Sequence, residues 1–119
     1  MNLNTIKIAL ETITTELGKA DKVYETLLTQ DGGEVPPSEG EFTENTIGEI
    51  VWTWSDTGTY EANSAGLFKE GKTFFYCGST QGSFFPIVEW ISENKIRLSL
   101  SNNLDGFLLN FPFKIVVKN

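Results

Sequence analysis

The sequence predicts a mainly β protein in which an N-terminal coiled-coil helix precedes a small antiparallel β-sandwich of jelly-roll type. Apolar residues recur every three or four positions in the first part of the chain, as on one face of a helix. From residue 47 onward, short aromatic and β-branched runs alternate with turn residues, which is typical of strands. We therefore predict a helical oligomerisation segment (1–30), an acidic linker (31–46) and a β-sandwich domain (47–119).

The composition argues against several classes of function. Nine basic and sixteen acidic residues give a net charge of -7, which repels nucleic acid and anionic lipid. The chain contains no histidine, so the commonest general base and metal ligand is missing, and the single cysteine, Cys77, cannot form an internal disulfide. We find no signal-peptide pattern and no apolar run of membrane-spanning length. We expect no metal, cofactor, nucleic acid or membrane partner, and a buried thiol at Cys77.

The opening segment carries an unbroken heptad repeat. Its eight apolar positions are separated by alternating steps of three and four: Leu3, Ile6, Leu10, Ile13, Leu17, Ala20, Tyr24 and Leu27. This period is typical of coiled coils, and leucine at the first position with isoleucine at the fourth favours three or four strands over two. We expect a homotrimer held together by these residues, with a tetramer as the neighbouring option. The alternative is a helix that packs against its own β domain.

The acidic linker separates the two patterned regions. Asp31-Gly32-Gly33 is expected to end the helix, because paired glycines adopt the left-handed conformation on which helices terminate. Pro36 and Pro37 favour extended backbone, and four glutamates keep the segment solvated.

The β domain is predicted from its strand and turn signals. Ile96, Leu98 and Leu100 alternate with polar residues, which indicates a strand with one buried and one wet face. Asp56-Thr57-Gly58 and Asp105-Gly106 indicate turns. The predicted strands are Glu49–Ser55, Thr59–Ala62, Lys72–Cys77, Phe84–Ile91, Lys95–Ser101 and Phe111–Lys118. Such a domain buries little surface by itself, so we expect some of its aromatic rings to lie at subunit contacts.

The β domain offers few candidates for chemistry. Trp52 and Trp54 share one face of a predicted strand, and Tyr60 lies on the next, so these three rings are candidates for a sugar-stacking platform. The alternative is that they are core or interface residues. Four carboxylates are the remaining catalytic candidates: Glu49, Asp56, Glu61 and Glu89. No nucleophile-base motif or phosphate loop occurs, and we predict that the protein is not an enzyme.

The second half of the chain resembles the terminal domain of bacteriophage fibre, appendage and decoration proteins. The resemblance lies in Gly58-Thr59-Tyr60, Glu70-Gly71-Lys72-Thr73, Asn94-Lys95-Ile96 and the closing Pro112-Phe113-Lys114-Ile115-Val116-Val117. It implies a homotrimeric virion structural protein whose helical part attaches to the particle and whose β domain faces outward. The implied partners are its own copies, other virion proteins and a cell-surface glycan, with assembly in the host cytoplasm. The alternative is a carbohydrate-binding module.

Overall fold

The computed structural model describes residues 20–78 and 84–119, and this part of the chain contains eight β-strands. Their bounds are β1 (Lys22–Gln30), β2 (Ser38–Asn45), β3 (Val51–Asp56), β4 (Thr59–Asn63), β5 (Thr73–Cys77), β6 (Pro86–Ser92), β7 (Lys95–Leu100) and β8 (Leu108–Val117). All six predicted strands are confirmed, each beginning and ending within three residues of its predicted bounds. The first two strands were not predicted. No helix occurs within the described residues.

The strands form two four-stranded antiparallel sheets that share one core. Sheet A has the order β2-β1-β8-β5, and sheet B has the order β3-β4-β7-β6. Residues of both sheets contribute to a single cluster of buried side chains. Within it, Trp52 of sheet B meets Phe113 of sheet A edge to face, with 5.5 Å between the ring centroids. The prediction of a mainly β, antiparallel fold is therefore confirmed.

The connection of the strands departs from the jelly roll that the sequence led us to expect. Three pairs of successive strands, β1–β2, β3–β4 and β6–β7, are neighbours within a sheet. A jelly roll in its usual form keeps one such pair within a sheet, because its other successive strands change sheet. The first and last strands, β1 and β8, lie side by side at the centre of sheet A.

The helical prediction is wrong for the last part of the opening segment, where residues 22–30 form strand β1. The heptad positions Tyr24 and Leu27 therefore belong to a strand, and Ala20 lies at a bend just before it. Burial in β1 alternates with a period of two, and the inward side chains are Tyr24, Thr26, Leu28 and Gln30. Tyr24 and Leu28 are four residues apart, a spacing that fits a strand face and a helix face equally well. Leu3, Ile6, Leu10, Ile13 and Leu17 lie outside the described residues.

The prediction of an acidic linker is also wrong for residues 38–45, which form strand β2 at the edge of sheet A. Every residue of β2 is exposed, which explains why its sequence carries no strand pattern. Glutamates on an edge strand keep it soluble and discourage pairing with other chains. Gly32 and Gly33 have φ values of 128° and 81° and form part of the β1–β2 connection. The turn signal was correct, but it joins two strands of sheet A.

Candidate functional site

The three aromatic residues proposed as a stacking platform point into the protein. Tyr60 is 0% exposed and Trp52 is 6% exposed, and both belong to the core cluster, while the half-buried Trp54 packs against it. Trp52 and Trp54 do share one face of β3, but that face is turned toward sheet A. The structure therefore shows no exposed platform at these positions and agrees with the alternative that they are core residues.

Asp105 holds two of these aromatic residues in place from the β7–β8 loop. Its carboxylate accepts hydrogen bonds from Trp54 Nε1 at 3.1 Å, from the Tyr60 hydroxyl at 2.7 Å and from the Gly58 amide at 2.8 Å. Desolvation raises the pKa of Asp105, but these three hydrogen bonds outweigh it and hold the pKa below its usual value. The ionised carboxylate thus links β3, β4 and their turn to the loop before β8.

Tyr24 makes a second polar link across the core. Its hydroxyl accepts a hydrogen bond from Trp52 Nε1 at 2.9 Å and donates one to the Glu39 carboxylate of β2. Desolvation and the bond to Glu39 raise the pKa of Tyr24 far above its ordinary value, and the bond from Trp52 opposes them only in part. Tyr60 shows the same direction of pKa shift, because it is desolvated and bonded to Asp105. Both phenols stay neutral and serve as structural donors.

Gln30 completes the set of buried polar groups at the end of β1. Its amide nitrogen donates to the carbonyl oxygens of Gly33 at 2.9 Å and Val35 at 3.1 Å. Its amide oxygen accepts from the Gly32 amide at 3.2 Å and the Gly106 amide at 2.7 Å. Within residues 20–78 and 84–119, every buried side-chain nitrogen or oxygen has a hydrogen-bond partner.

The four candidate carboxylates lie in different surroundings. Glu61 is buried and makes ion pairs of 3.2 Å with Arg97 and 3.3 Å with Lys95 on the outer face of sheet B. Asp56 accepts the amide of Thr57 in its own turn. Glu49 and Glu89 are exposed. In the part of the chain that the structure describes, no three acidic or cysteine residues lie close enough together to hold a metal ion.

Cys77 is exposed, which corrects the expectation of a buried thiol. The run that contains it is β5, which among the described strands pairs with β8 alone and therefore lies at an edge of sheet A. Desolvation by the adjacent residues still raises the pKa of the Cys77 thiol, which therefore stays protonated near neutral pH.

The feature best suited to interaction is the outer face of sheet A, the side turned away from the core. We define it by eight residues: Val23, Glu25, Leu27, Phe74, Tyr76, Pro112, Lys114 and Val116. Strand pairing orders them in rows across β1, β8 and β5. The first row is Val23, Val116 and Phe74, and it is entirely apolar. Phe74 is 45% exposed, so a large part of its ring faces solvent.

The middle row of this face is polar, and its one negative and one positive side chain form an ion pair with each other. Lys114 lies between Glu25 and Tyr76, with its Nζ atom 3.6 Å from the Glu25 carboxylate and 6.0 Å from the centroid of the Tyr76 ring. The Tyr76 residue is 56% exposed. A shallow groove of about 330 Å³ runs past these three side chains and Pro112. The face therefore combines aromatic surface with charges that already have partners, as protein–protein contact surfaces often do.

One signal in the sequence could have revealed this face. Residues 73–77 read Thr-Phe-Phe-Tyr-Cys, so large apolar side chains occupy both faces of the strand. Phe75 packs against the core, whereas its neighbours Phe74 and Tyr76 point outward. A short strand with apolar residues on both faces needs a covering layer on each side.

Comparison with known proteins assigns no relative to this arrangement. No helix of the described ranges is long and apolar enough to cross a membrane.

No protein-family model, curated protein or solved structure matches the chain.

Proposed function

We propose that this chain is a non-enzymatic structural subunit of a bacteriophage particle, in which copies assemble as a homotrimer and each displays its β domain. The observation that carries the assembly part is the outer face of sheet A, an aromatic and locally neutral surface on a protein of net charge -7. The phage assignment depends on the resemblance of residues 54–119 to fibre and appendage proteins.

The heptad positions that remain available support self-association through residues 1–20. Correction of the segment boundary leaves six of the eight positions before β1: Leu3, Ile6, Leu10, Ile13, Leu17 and Ala20. The preference of this leucine and isoleucine pattern for three or four strands over two is unchanged, and we take the trimer as the first choice. A helix of fewer than about 15 residues is marginal in water, and a segment of about this size needs further contacts to hold an assembly together.

Display of the β domain is the second part of the proposal. The domain has a tight core and an acidic, exposed edge strand, β2, which suits a unit that stays soluble at high local concentration. Attachment to a cell-surface glycan would use exposed residues other than Trp52 and Tyr60, because these two are buried.

The assembly part is tested by the mass of the intact chain in solution. Sedimentation equilibrium at micromolar concentration should give about three times 13.3 kDa. A monomer of 13.3 kDa would contradict the proposal. The heptad is tested separately by Ile13→Asn, which places a polar amide at a fourth heptad position and should shift the trimer toward monomer. Thr15→Asn is the matched control, because position 15 falls on the side of the repeat away from the stripe and should leave the trimer intact.

The phage assignment is tested by the neighbouring genes and by the particle itself. Genes for capsid or tail proteins on either side of this one are the expected result. Antibodies raised against the purified protein should then label purified particles in electron micrographs. Flanking genes for metabolic enzymes, or particles that carry no label, would contradict the assignment.

A further inference from the structure

We propose that the outer face of sheet A is the surface through which copies of this chain pack against one another in the assembled state. This inference depends on the proposed self-association and adds its location on the β domain. The occupant of the face is a second copy of the same chain, and four observations support that choice.

The first observation is the apolar row Val23–Val116–Phe74. Val116 is 8% exposed although it lies outside the core cluster, so its neighbours on the outer face already cover it. Phe74, by contrast, leaves nearly half of its surface in water. Exposed aromatic rings beside a covered aliphatic residue are typical of the centre of a protein contact, where rings contribute much of the binding energy.

The second observation is the charge balance of this surface. The chain as a whole is strongly acidic, so two copies repel each other wherever unpaired carboxylates meet. On this face, Glu25 pairs with Lys114, and at the adjoining end Asp21 pairs with Lys118 at 3.0 Å. Among the eight residues that define this face, the one negative charge, Glu25, is matched by Lys114 on β8, which lowers the repulsion between identical faces, while Glu44 of β2 lies across from Glu25 at the margin.

The third observation is the point at which the N-terminal segment joins the domain. Ala20 precedes β1 by two residues, and β1 begins at the end of sheet A that carries the apolar row. Self-association of residues 1–20 brings the Ala20 positions of the copies together near one axis. Val23 and its neighbours on β8 and β5 are then the first part of each β domain to reach the other copies.

The fourth observation is the contrast with the outer face of sheet B. There the central strands place Glu61 across from Arg97, and Glu89 lies across Arg97 from the other side. This surface is polar along the two central strands, and its exposed apolar residues lie on the edge strands, Val51 on β3 and Ile87 and Ile91 on β6. The two edge residues Phe74 on β5 and Ile87 on β6 are similarly exposed, at 45% and 42%. They make a matched pair for mutation.

The first experiment leaves the chain unmutated. Hydroxyl-radical footprinting of the assembled protein should show that Tyr76 loses most of its reactivity, while Phe85 keeps its own. These residues are 56% and 62% exposed in the single chain, so an equal fractional change in the reactivity of the two rings between the dissociated and the assembled protein would overturn the proposal. The same samples are analysed by sedimentation, which records the oligomeric state in which each reactivity is measured.

The second experiment compares Phe74→Glu with Ile87→Glu by sedimentation equilibrium. Phe74→Glu adds an unpaired charge to the proposed contact and should raise the dissociation constant of the assembly about tenfold or more. Ile87→Glu should leave it within about twofold, because it lies on the other sheet. Circular dichroism confirms that both variants remain folded, and equal dissociation constants for the two would overturn the proposal.

The outcomes separate this inference from the proposed function. A trimer in which Tyr76 stays fully reactive leaves self-association standing and overturns the contact surface. A dimer with a protected Tyr76 supports the surface and overturns the trimer. A monomer with a protected Tyr76 would mean that residues 1–19 cover their own sheet, and it overturns both.

Discussion

Replacement of Asp105 by alanine tests how much the attachment of the β7–β8 loop to β3, β4 and their turn contributes to stability. The substitution removes the acceptor of three hydrogen bonds, from Trp54, Tyr60 and the Gly58 amide. A hydrogen bond to a charged group contributes about 1.5–3 kcal/mol to the free energy of unfolding, and Asp105 is only half buried, so the lower value applies. Allowing for partial rescue by water, we expect a loss of about 3–4 kcal/mol, a large share of the 5–15 kcal/mol typical of a domain.

Equilibrium unfolding in urea at pH 7, followed by tryptophan fluorescence, measures this loss. With a urea dependence of about 1.5–2 kcal/mol per molar, the midpoint for Asp105→Ala should fall by roughly 2 M. Asp56→Asn is the control, because Asp56 is exposed and its hydrogen bond from the Thr57 amide lies within its own turn. Its effect should stay within about 0.5 kcal/mol. A loss below about 1 kcal/mol for Asp105→Ala would refute the reasoning, because the donors would then have found other partners.

The same carboxylate makes stability depend on pH. The folded state holds the pKa of Asp105 below its ordinary value, so the unfolded chain binds this proton more readily. The contribution of Asp105 is therefore fully present above an unfolded-state pKa of about 4 and is lost as the pH falls through the lower folded-state pKa. Asp105→Asn should flatten this part of the stability profile below pH 4 relative to the wild type. An identical slope in both proteins would contradict the assignment.

Three further predictions test individual parts of the fold by urea unfolding. Leu28→Ala should lower the free energy of unfolding by about 3 kcal/mol and Leu27→Ala by less than about 1 kcal/mol, because Leu28 is 0% and Leu27 36% exposed. The reverse order would favour the helical heptad, in which Leu27 is the buried residue. Gly58→Ala should lower the free energy of unfolding by at least about 2 kcal/mol, because the added Cβ would lie 2.7 Å from the backbone nitrogen of Leu104. Gly71→Ala is the control and should lower it by only about 1 kcal/mol, because Gly71 has nearly the same φ but open space around it. Equal losses would show that the structure relaxes around the close contact. Glu61→Gln should cost about 1 kcal/mol in low salt and less in 1 M NaCl, since it weakens the ion pairs with Lys95 and Arg97, and a cost independent of salt would contradict this.

The strands that the sequence predicted share a local cause. β7 alternates Ile96, Leu98 and Leu100 with polar residues, and its neighbours face either the core or the solvent in the same rhythm. In such strands the alternation of apolar and polar residues predicts the alternation of burial, because successive residues point to opposite faces of the sheet. The turn at Gly58, with a φ of 72°, was likewise predictable from its residue type.

The sequence failed to predict β1 and β2 for opposite reasons. In β1, Leu27 and Leu28 are both apolar, so the same residues fit a helix and a strand, and pairing with β2 and β8 selects the strand. In β2, no apolar pattern exists, because both faces of this edge strand meet solvent. Its strand state comes from backbone hydrogen bonds to β1, which leave no trace in its side chains.

The candidate interaction surface was only partly accessible from the sequence. Phe74 and Tyr76 were visible as an apolar run, but a strand of this kind is ordinarily buried in the middle of a sheet. That β5 lies at an edge, and that Lys114 comes between Glu25 and Tyr76, depends on three strands that are far apart in the chain.

The sequence by itself determined that the chain folds mainly as antiparallel strands, where most of those strands lie and where several turns reverse them, because these are decided by neighbouring residues. Only the tertiary structure decided that residues 22–30 join the sheet, that Trp52 and Tyr60 face the core, and that one aromatic face stays open. The physical reason is that an extended segment has two faces, and which of them is buried depends on the strands that pair beside it and the sheet that packs against it.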